Sequence, residues 1–224
     1  MQIPASLINC ALFEEISSEH LTALLTCLDA KKLSYKKGEV ILPEGDAATE
    51  IGILLSGRAH IVQSDYYGNN TLASVVFPGQ LFAESFACAM AEALPVSVVA
   101  AEDSEILFIN CARLMTSCSN ACEFHNRIIF NLLKITARKN LALHEKNMLT
   151  AKRTTREKLL AYLMLQAKSN NSLVFTIPFD RQALADYLGV DRSGLSAELG
   201  KLKKEGVLDF FKNSFRLLIN LSKN

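Results

Sequence analysis

The segment Asp180 to Leu202, DRQALADYLGVDRSGLSAELGKL, constrains the fold more than any other part of this chain. Leu184 and Leu188 stand one helical turn apart and give a first helix an inward face, and Ala185 is small enough to let a second helix approach closely. Asp180 is suited to cap the start of that helix. Gly189 ends it, because a helix C-terminus commonly needs a residue that accepts positive φ, and Asp191 caps the next helix. In that helix Leu195, Leu199 and Leu202 recur at i, i+4 and i+7 on one buried stripe, so Arg192, Ser193, Ser196, Ala197 and Gly200 point outward. The pattern predicts a helix-turn-helix whose outward face fits a major groove. The alternative is an ordinary helical hairpin of a globular core with a solvated outer face.

Thr176 to Phe179 precedes the motif as a short extended run containing Pro178. Val207 to Phe210 and Phe215 to Leu218 follow it as two short apolar runs around Lys212, Asn213 and Ser214, which reads as a wing hairpin. The run TTREKLLAYL, the pair Arg181-Gln182, the turn Gly189-Val190-Asp191-Arg192 and the ending EGVLDF resemble the C-terminal domain of the bacterial transcription regulators related to the cyclic-AMP receptor protein and the fumarate-nitrate reduction regulator, the CRP/FNR family. The resemblance is specific in this region and continues more weakly to the N-terminus.

The formal net charge of +1 hides a division. Residues 151–224 carry 13 Lys/Arg against 7 Asp/Glu, whereas residues 1–150 carry 11 against 16. The basic part is the one with the helix-turn-helix, as a phosphate-binding domain requires. No basic N-terminal segment leads into an apolar run, and no apolar stretch reaches the ~20 residues of a membrane span. The expectation is a cytoplasmic protein without membrane contact.

Residues 5 to about 29 read as one or two short helices, with Ser17 or Ser18 as cap. From Lys32 to Phe108 the period changes to short β-rich runs broken by turn glycines at Gly38, Gly45, Gly57, Gly68 and Gly79, which suggests an antiparallel jelly roll or barrel. The segments beginning at Glu50, Thr71 and Pro95 resemble the cyclic-nucleotide-binding β-roll of the same family. Ala112 to about Leu149 then reads as a long helix whose apolar side is broader than a coiled-coil seam. One side of it suits the β-roll and another a partner helix, and in the resembling family this helix makes the dimer. Phe124, Ile128, Leu132 and Ile135 are the expected interface residues, and Asn131, Arg138, Lys139, Asn140, Glu145 and Lys146 the solvated face. The expected chain is α+β: an antiparallel β-roll over residues 1–110 with flanking helices, a long dimerisation helix over 111–149, and a winged helix-turn-helix over 150–224.

What the resemblance implies about the sensing site depends on particular residues. In cyclic-nucleotide-binding relatives a glycine-acidic loop holds the ribose through its glutamate and the phosphate through backbone N–H groups and an arginine. Here Glu84 keeps the acidic position, Ala83 replaces the preceding glycine, and Val96 stands before Ser97 where the arginine belongs. A buried phosphate without its bidentate donor is costly, so cyclic AMP is not expected as the effector. The expected pocket is lined by Leu81, Phe82, Phe86, Val96 and Val98 with Glu84, Ser85 and Ser97, its ligand unidentified, and plain β-roll core is the alternative.

The six cysteines, Cys10, Cys27, Cys88, Cys111, Cys118 and Cys122, lack the closely spaced N-terminal set of cluster-binding relatives, although Cys118 and Cys122 are spaced to share a helical face. They are expected as small buried hydrophobes. No metal site or cofactor is expected; an iron-sulfur cluster, or haem on His60 or His125, is the alternative. No converging catalytic set is visible, so an enzyme is not expected. For DNA, Arg181 and Gln182 are expected to anchor phosphates at the first helix N-terminus, Arg192 to read a base with Ser193 and Ser196 beside it, and Lys201 and Lys212 to touch phosphates. The partners implied are double-stranded DNA, a second copy of the chain and, by resemblance, RNA polymerase. The alternative is a small-molecule-binding or scaffolding module with a DNA-silent helix-turn-helix, since Ala197 stands where relatives carry an arginine.

Overall fold

The computed structural model describes residues 4–64, 66, 70–116 and 123–218. Gly68, Cys118 and Cys122, named above as a turn glycine and a candidate pair, lie outside the described residues. The chain divides into two compact units, Met1–Arg138 and Lys139–Asn224.

The first unit opens with α1 (Ala5–Ile8), a 3-10 turn (Ala11–Phe13) and α2 (Ser18–Cys27). Strands β1 (Lys31–Tyr35), β2 (Val40–Leu42), β3 (Glu50–Ser56), β4 (Ala59–Ser64), β5 (Asn70–Val76) and β6 (Leu81–Phe82) follow. Then come α3 (Glu84–Cys88), β7 (Ser97–Ala100), β8 (Ser104–Asn110), α4 (Cys111–Met115) and α5 (Glu123–Thr150), whose later part belongs to the second unit. The strands form two antiparallel sheets, ordered β1-β8-β3-β6 and β2-β7-β4-β5.

Strand β8 reads SEILFIN, with an unbroken apolar run from Ile106 to Ile109, because both of its faces are covered there. Ile106 and Phe108 join Leu54, Phe82, Val98 and Ala100 between the sheets, while Leu107 and Ile109 turn to a second core shared with Ile51, Ile53 and the helices. The alternation of side chains along a strand produces this division. Gly52 belongs to the inner face. A Cβ there would lie 2.1 Å from Cζ of Phe82, so the ring occupies the space a side chain would need.

Helix α5 corrects two expectations. Ile128 and Leu132 are 0% and 3% exposed in the core of their own unit, and Phe124 and Ile135 pack against that core. Phe124 also stacks on His20, with ring centroids 4.2 Å apart. Ile128 and Leu132 are thus taken up by their own unit and are not surface left for a partner, while Phe124 and Ile135 are half-buried against the same core. Asn131 is not solvated either: it is buried, and its Nδ2 donates to the carbonyls of Leu12 and Glu14 at 3.0 and 2.8 Å. A buried amide needs such acceptors, and these tie the helix to the N-terminal segment.

The second unit contains α6 (Thr155–Ser169), β9 (Val174–Thr176), α7 (Arg181–Leu188), α8 (Arg192–Lys204), β10 (Leu208–Phe211) and β11 (Ser214–Leu217). Thr154 and Glu157 close a reciprocal capping box at the start of α6. The sheet order is β10-β11-β9, and Leu159, Tyr162, Leu163, Leu184, Leu188, Leu195, Leu199, Leu202 and Phe215 fill the core between helices and sheet.

Candidate functional site

The turn between α7 and α8 is built from caps. Asp180 accepts the Ala183 N–H at 2.8 Å and Asp191 accepts the Gly194 N–H at 2.9 Å. Gly189 takes φ 59° and ψ 52°, the left-handed conformation a helix stop requires. The Lys158 ammonium donates to the carbonyls of Leu188 and Gly189, both at 3.3 Å, which satisfies acceptors the helix end leaves open. Because Leu195, Leu199 and Leu202 are fully buried, α8 can turn only one face to the outside.

That face carries Arg192, Ser193, Ser196, Ala197 and Lys201, all exposed. Arg192 makes no ion pair with any described residue. Ser196 lies one turn behind it. Ser193 is turned back, its hydroxyl donating to the Asp191 carboxylate. Lys201 lies 3.5 Å from Glu198, so part of its charge is countered within the helix. Glu198 is largely buried and also meets Arg156 at 3.2 Å. The Arg156 guanidinium reaches both oxygens of Glu205, at 3.0 and 2.5 Å, and so clamps α6 to the end of α8. Sequence reading missed this cluster, since its members stand 42 and 49 positions apart.

The wing is a hairpin with Phe211 opposite Ser214 and a two-residue turn, Lys212-Asn213. Lys212 has φ 51°, is exposed at the tip, and holds its ammonium 5.7 Å from the Phe211 ring centre. Asn213 donates through Nδ2 to the Ile177 carbonyl at 3.0 Å, and the Ile177 N–H returns a bond to the Asn213 carbonyl at 2.9 Å. The wing is thereby fastened to the strand that leads into α7. Arg181 reinforces this, its guanidinium lying 4.9 Å from the Phe210 ring centre and 5.3 Å from that of Phe215. Gln182 is exposed and donates to Asp186 within α7 at 2.8 Å.

In the first unit, the residues expected to line one pocket are divided. Leu81 and Phe86 belong to the core beneath the helices, whereas Phe82 and Val98 belong to the core between the sheets. Neighbouring residues of a strand point to opposite faces, so Leu81 and Phe82 cannot line one cavity. Ser97 accepts the Glu44 N–H at 3.0 Å, and Val96 beside it is half-buried. Glu84 is buried at the start of α3 and accepts from the Ser85 hydroxyl at 3.1 Å; Ala83 before it adopts φ 60°, the conformation a glycine would take without strain. Arg58 pairs with Glu102 at 3.1 Å. A concavity of about 610 Å³ lies against α3, α4 and the loop before β3, with Cys88 and Cys111 among its walls.

Cys10 and Cys111 are buried and Cys27 is exposed. His60 lies on β4 opposite Val75 and Val99, and His125 is buried. Among the described residues no group of three or more His, Cys, Asp or Glu comes together as a metal site, and no helix is long and apolar enough to cross a membrane.

Residues 32–120 match the cyclic nucleotide-binding domain and residues 157–221 the Crp-like helix-turn-helix domain. The chain is 23% identical over 184 residues to the transcriptional activator protein FnrL of Cereibacter sphaeroides, covering 78% of this chain and 71% of that protein. Its fold is similar to that of CprK in complex with OCPA, with a TM-score of 0.60 at 16% identity over 88% of this chain and 89% of the other. The c-di-GMP responsive global regulator CLP of Xanthomonas campestris gives 0.54 at 17% identity over 91% and 100%. The catabolite activator protein of Thermus thermophilus gives 0.50 at 21% identity over 92% and 93%.

Proposed function

We propose a function from the premise that this chain belongs to the CRP/FNR family of transcription regulators and is not an enzyme: it is a homodimeric, sequence-specific DNA-binding regulator whose β-roll unit senses a small molecule. The observation that carries the DNA reading is Arg192, exposed and without an ion pair among the described residues, on the outward face of a helix whose other face is fully buried. A free guanidinium at a helix N-terminus suits bidentate contact with a guanine edge. Ser196 lies beside it for a shorter contact, whereas Ser193 must first leave Asp191. Lys212 at the wing tip, and Gln182 at the start of α7, are suited to phosphates. Arg181 takes a different part, holding the wing through its rings, and Lys201 contributes a charge reduced by Glu198.

The dimer follows from α5. Phe130 and Leu133 are large, apolar and more than half exposed, and their helical spacing turns them away from Ile128 and Leu132. Such a stripe is costly in water and suits a copy of itself in two-fold symmetry. Two recognition helices would then address half-sites about one helical turn apart, in a near-palindromic operator. A cytoplasmic site of action and contact with RNA polymerase accord with this role.

The sensed ligand does not follow from the fold. Among similar proteins, CLP is named as responsive to c-di-GMP and CprK is seen with OCPA, which are different molecules. With Val96 in place of the phosphate arginine and Arg58 engaged by Glu102, neither cation is offered to a cyclic phosphate.

Selection of bound sequences from a random DNA pool, followed by gel shifts at low and moderate salt, tests the regulator reading. Enrichment of one near-palindrome is expected. Binding that is equal for all sequences, or absent, would instead favour the DNA-silent module that Ala197 and Gly200 on the outward face keep in view.

A further inference from the structure

The concavity of about 610 Å³ beside α3 is within the size range of small-molecule sites. Its walls come from three places: Ala47, Ala48 and Thr49 before β3, Ala87, Cys88, Met90, Ala91 and Glu92 at and after α3, and Asn110, Cys111, Ala112 and Met115 around α4. Five of these residues are alanines, whose short side chains leave the space open. At its rim stand Met90 and Met115, 84% and 52% exposed, flexible thioethers able to fold over a guest.

Several polar groups of the lining are already paired. Cys88 and Cys111 hold their sulfurs 3.4 Å apart. The Asn110 side chain accepts the Arg113 N–H at 3.0 Å, and the Thr49 carbonyl accepts the Cys111 N–H, also at 3.0 Å. Glu92, the one carboxylate, is exposed at the edge. The described lining is mostly apolar and holds a carboxylate but no Lys, Arg or His, so a guest bringing negative charge would lose water without gaining a cation, which disfavours nucleotides and other anions. Two adjacent thiols raise the question of a soft metal or an electrophile. Burial is the main cause that pushes the Cys88 thiol up to about 12, aided by the hydrogen bond with Cys111, so it stays protonated at neutral pH, and the protonated form is the weak ligand and weak nucleophile.

We propose that this cavity is a binding site for a neutral, largely apolar small molecule, held by contact with the alanine walls, the paired thiols and the two rim methionines. The inference rests on the reading of the first unit as a sensor, and it gives that sensor a ligand class. A guest here touches α3 and α4 together, beside the Cys88–Cys111 contact that joins them.

N-phenyl-1-naphthylamine, a neutral dye that brightens in apolar surroundings, is titrated into the full chain without DNA. Saturable binding in the micromolar range is expected. Ala91→Phe and Ala112→Phe place a ring in the mouth from half-buried and exposed positions, and each should weaken binding by about tenfold or more while far-UV circular dichroism and thermal unfolding stay as in the wild type. Leu72→Phe, which adds a ring on β5 away from the cavity, should change nothing. No saturable binding by the wild type, or equal binding by folded Ala91→Phe and Ala112→Phe variants, overturns the proposal. Failure of the DNA selection would count against the regulator reading alone, because the titration contains no DNA.

Discussion

The guanidinium of Arg181 lies 4.9 Å from the centre of the Phe210 ring, so the first residue of α7 is joined to the wing that follows α8. Together with the neighbouring Phe215 ring, this contact orients the hairpin relative to the motif. Arg181→Ala should destabilise the protein by about 0.5–2 kcal/mol in urea unfolding, and Arg181→Lys by less. An Arg181→Ala variant of unchanged stability would show that the stack contributes nothing and leave the arginine to phosphate contact alone.

Arg192 and Lys212 should fail differently. Arg192→Ala is expected to cost about 1–3 kcal/mol on the preferred operator and to relax preference at one base pair of each half-site. Lys212→Ala should weaken all sequences alike and lower the salt slope by about one. Fluorescence anisotropy with operator and scrambled duplexes across a salt series separates the two. A selected sequence unaltered by Arg192→Ala would place specificity on other residues.

The two faces of α5 can be told apart in one experiment. Leu133→Glu, on the exposed stripe, should give folded monomers of 24.7 kDa in sedimentation at micromolar concentration. Ile128→Glu buries a charge in the core of the first unit and should lower the unfolding temperature sharply, whatever the assembly. Dimers that persist in Leu133→Glu would move the seam elsewhere.

Cyclic AMP and cyclic GMP should not bind in the micromolar range or tighter. Isothermal calorimetry checks this, and tight binding would mean that a different cation meets the phosphate, with Arg58 released from Glu102 the first to substitute.

Asp191 is expected to make α8 acid-sensitive. The Ser193 hydroxyl first, and the Gly194 N–H second, hold its carboxylate below the ordinary aspartate value. A lowered folded pKa contributes stability that is complete above the unfolded value, about 3.9, and lost as pH falls through the folded one. Asp191→Asn retains a capping side chain but not this titration. Its unfolding temperature should therefore match the wild type more closely at pH 3 than at pH 6; a constant difference would remove Asp191 from the acid response.

Where a rule acts over a few residues, the amino-acid sequence was sufficient. The caps at Asp180 and Asp191, the stop at Gly189, and the stripe of Leu195, Leu199 and Leu202 depend on helix geometry alone. The β-roll was legible from turn spacing. The tertiary structure decided what depends on which surface lies opposite. Apolar residues surround much of α5, and only the docked β-roll separates Ile128 and Leu132, which it buries, from Phe130 and Leu133, which it leaves exposed. Leu81 and Phe82 are adjacent in the chain yet belong to different cores, because a sheet with both faces covered sends neighbouring side chains apart. The same holds for Arg156 with Glu205, and for Cys88 with Cys111: their meetings are set by how helices and strands pack, a property that no local spacing records.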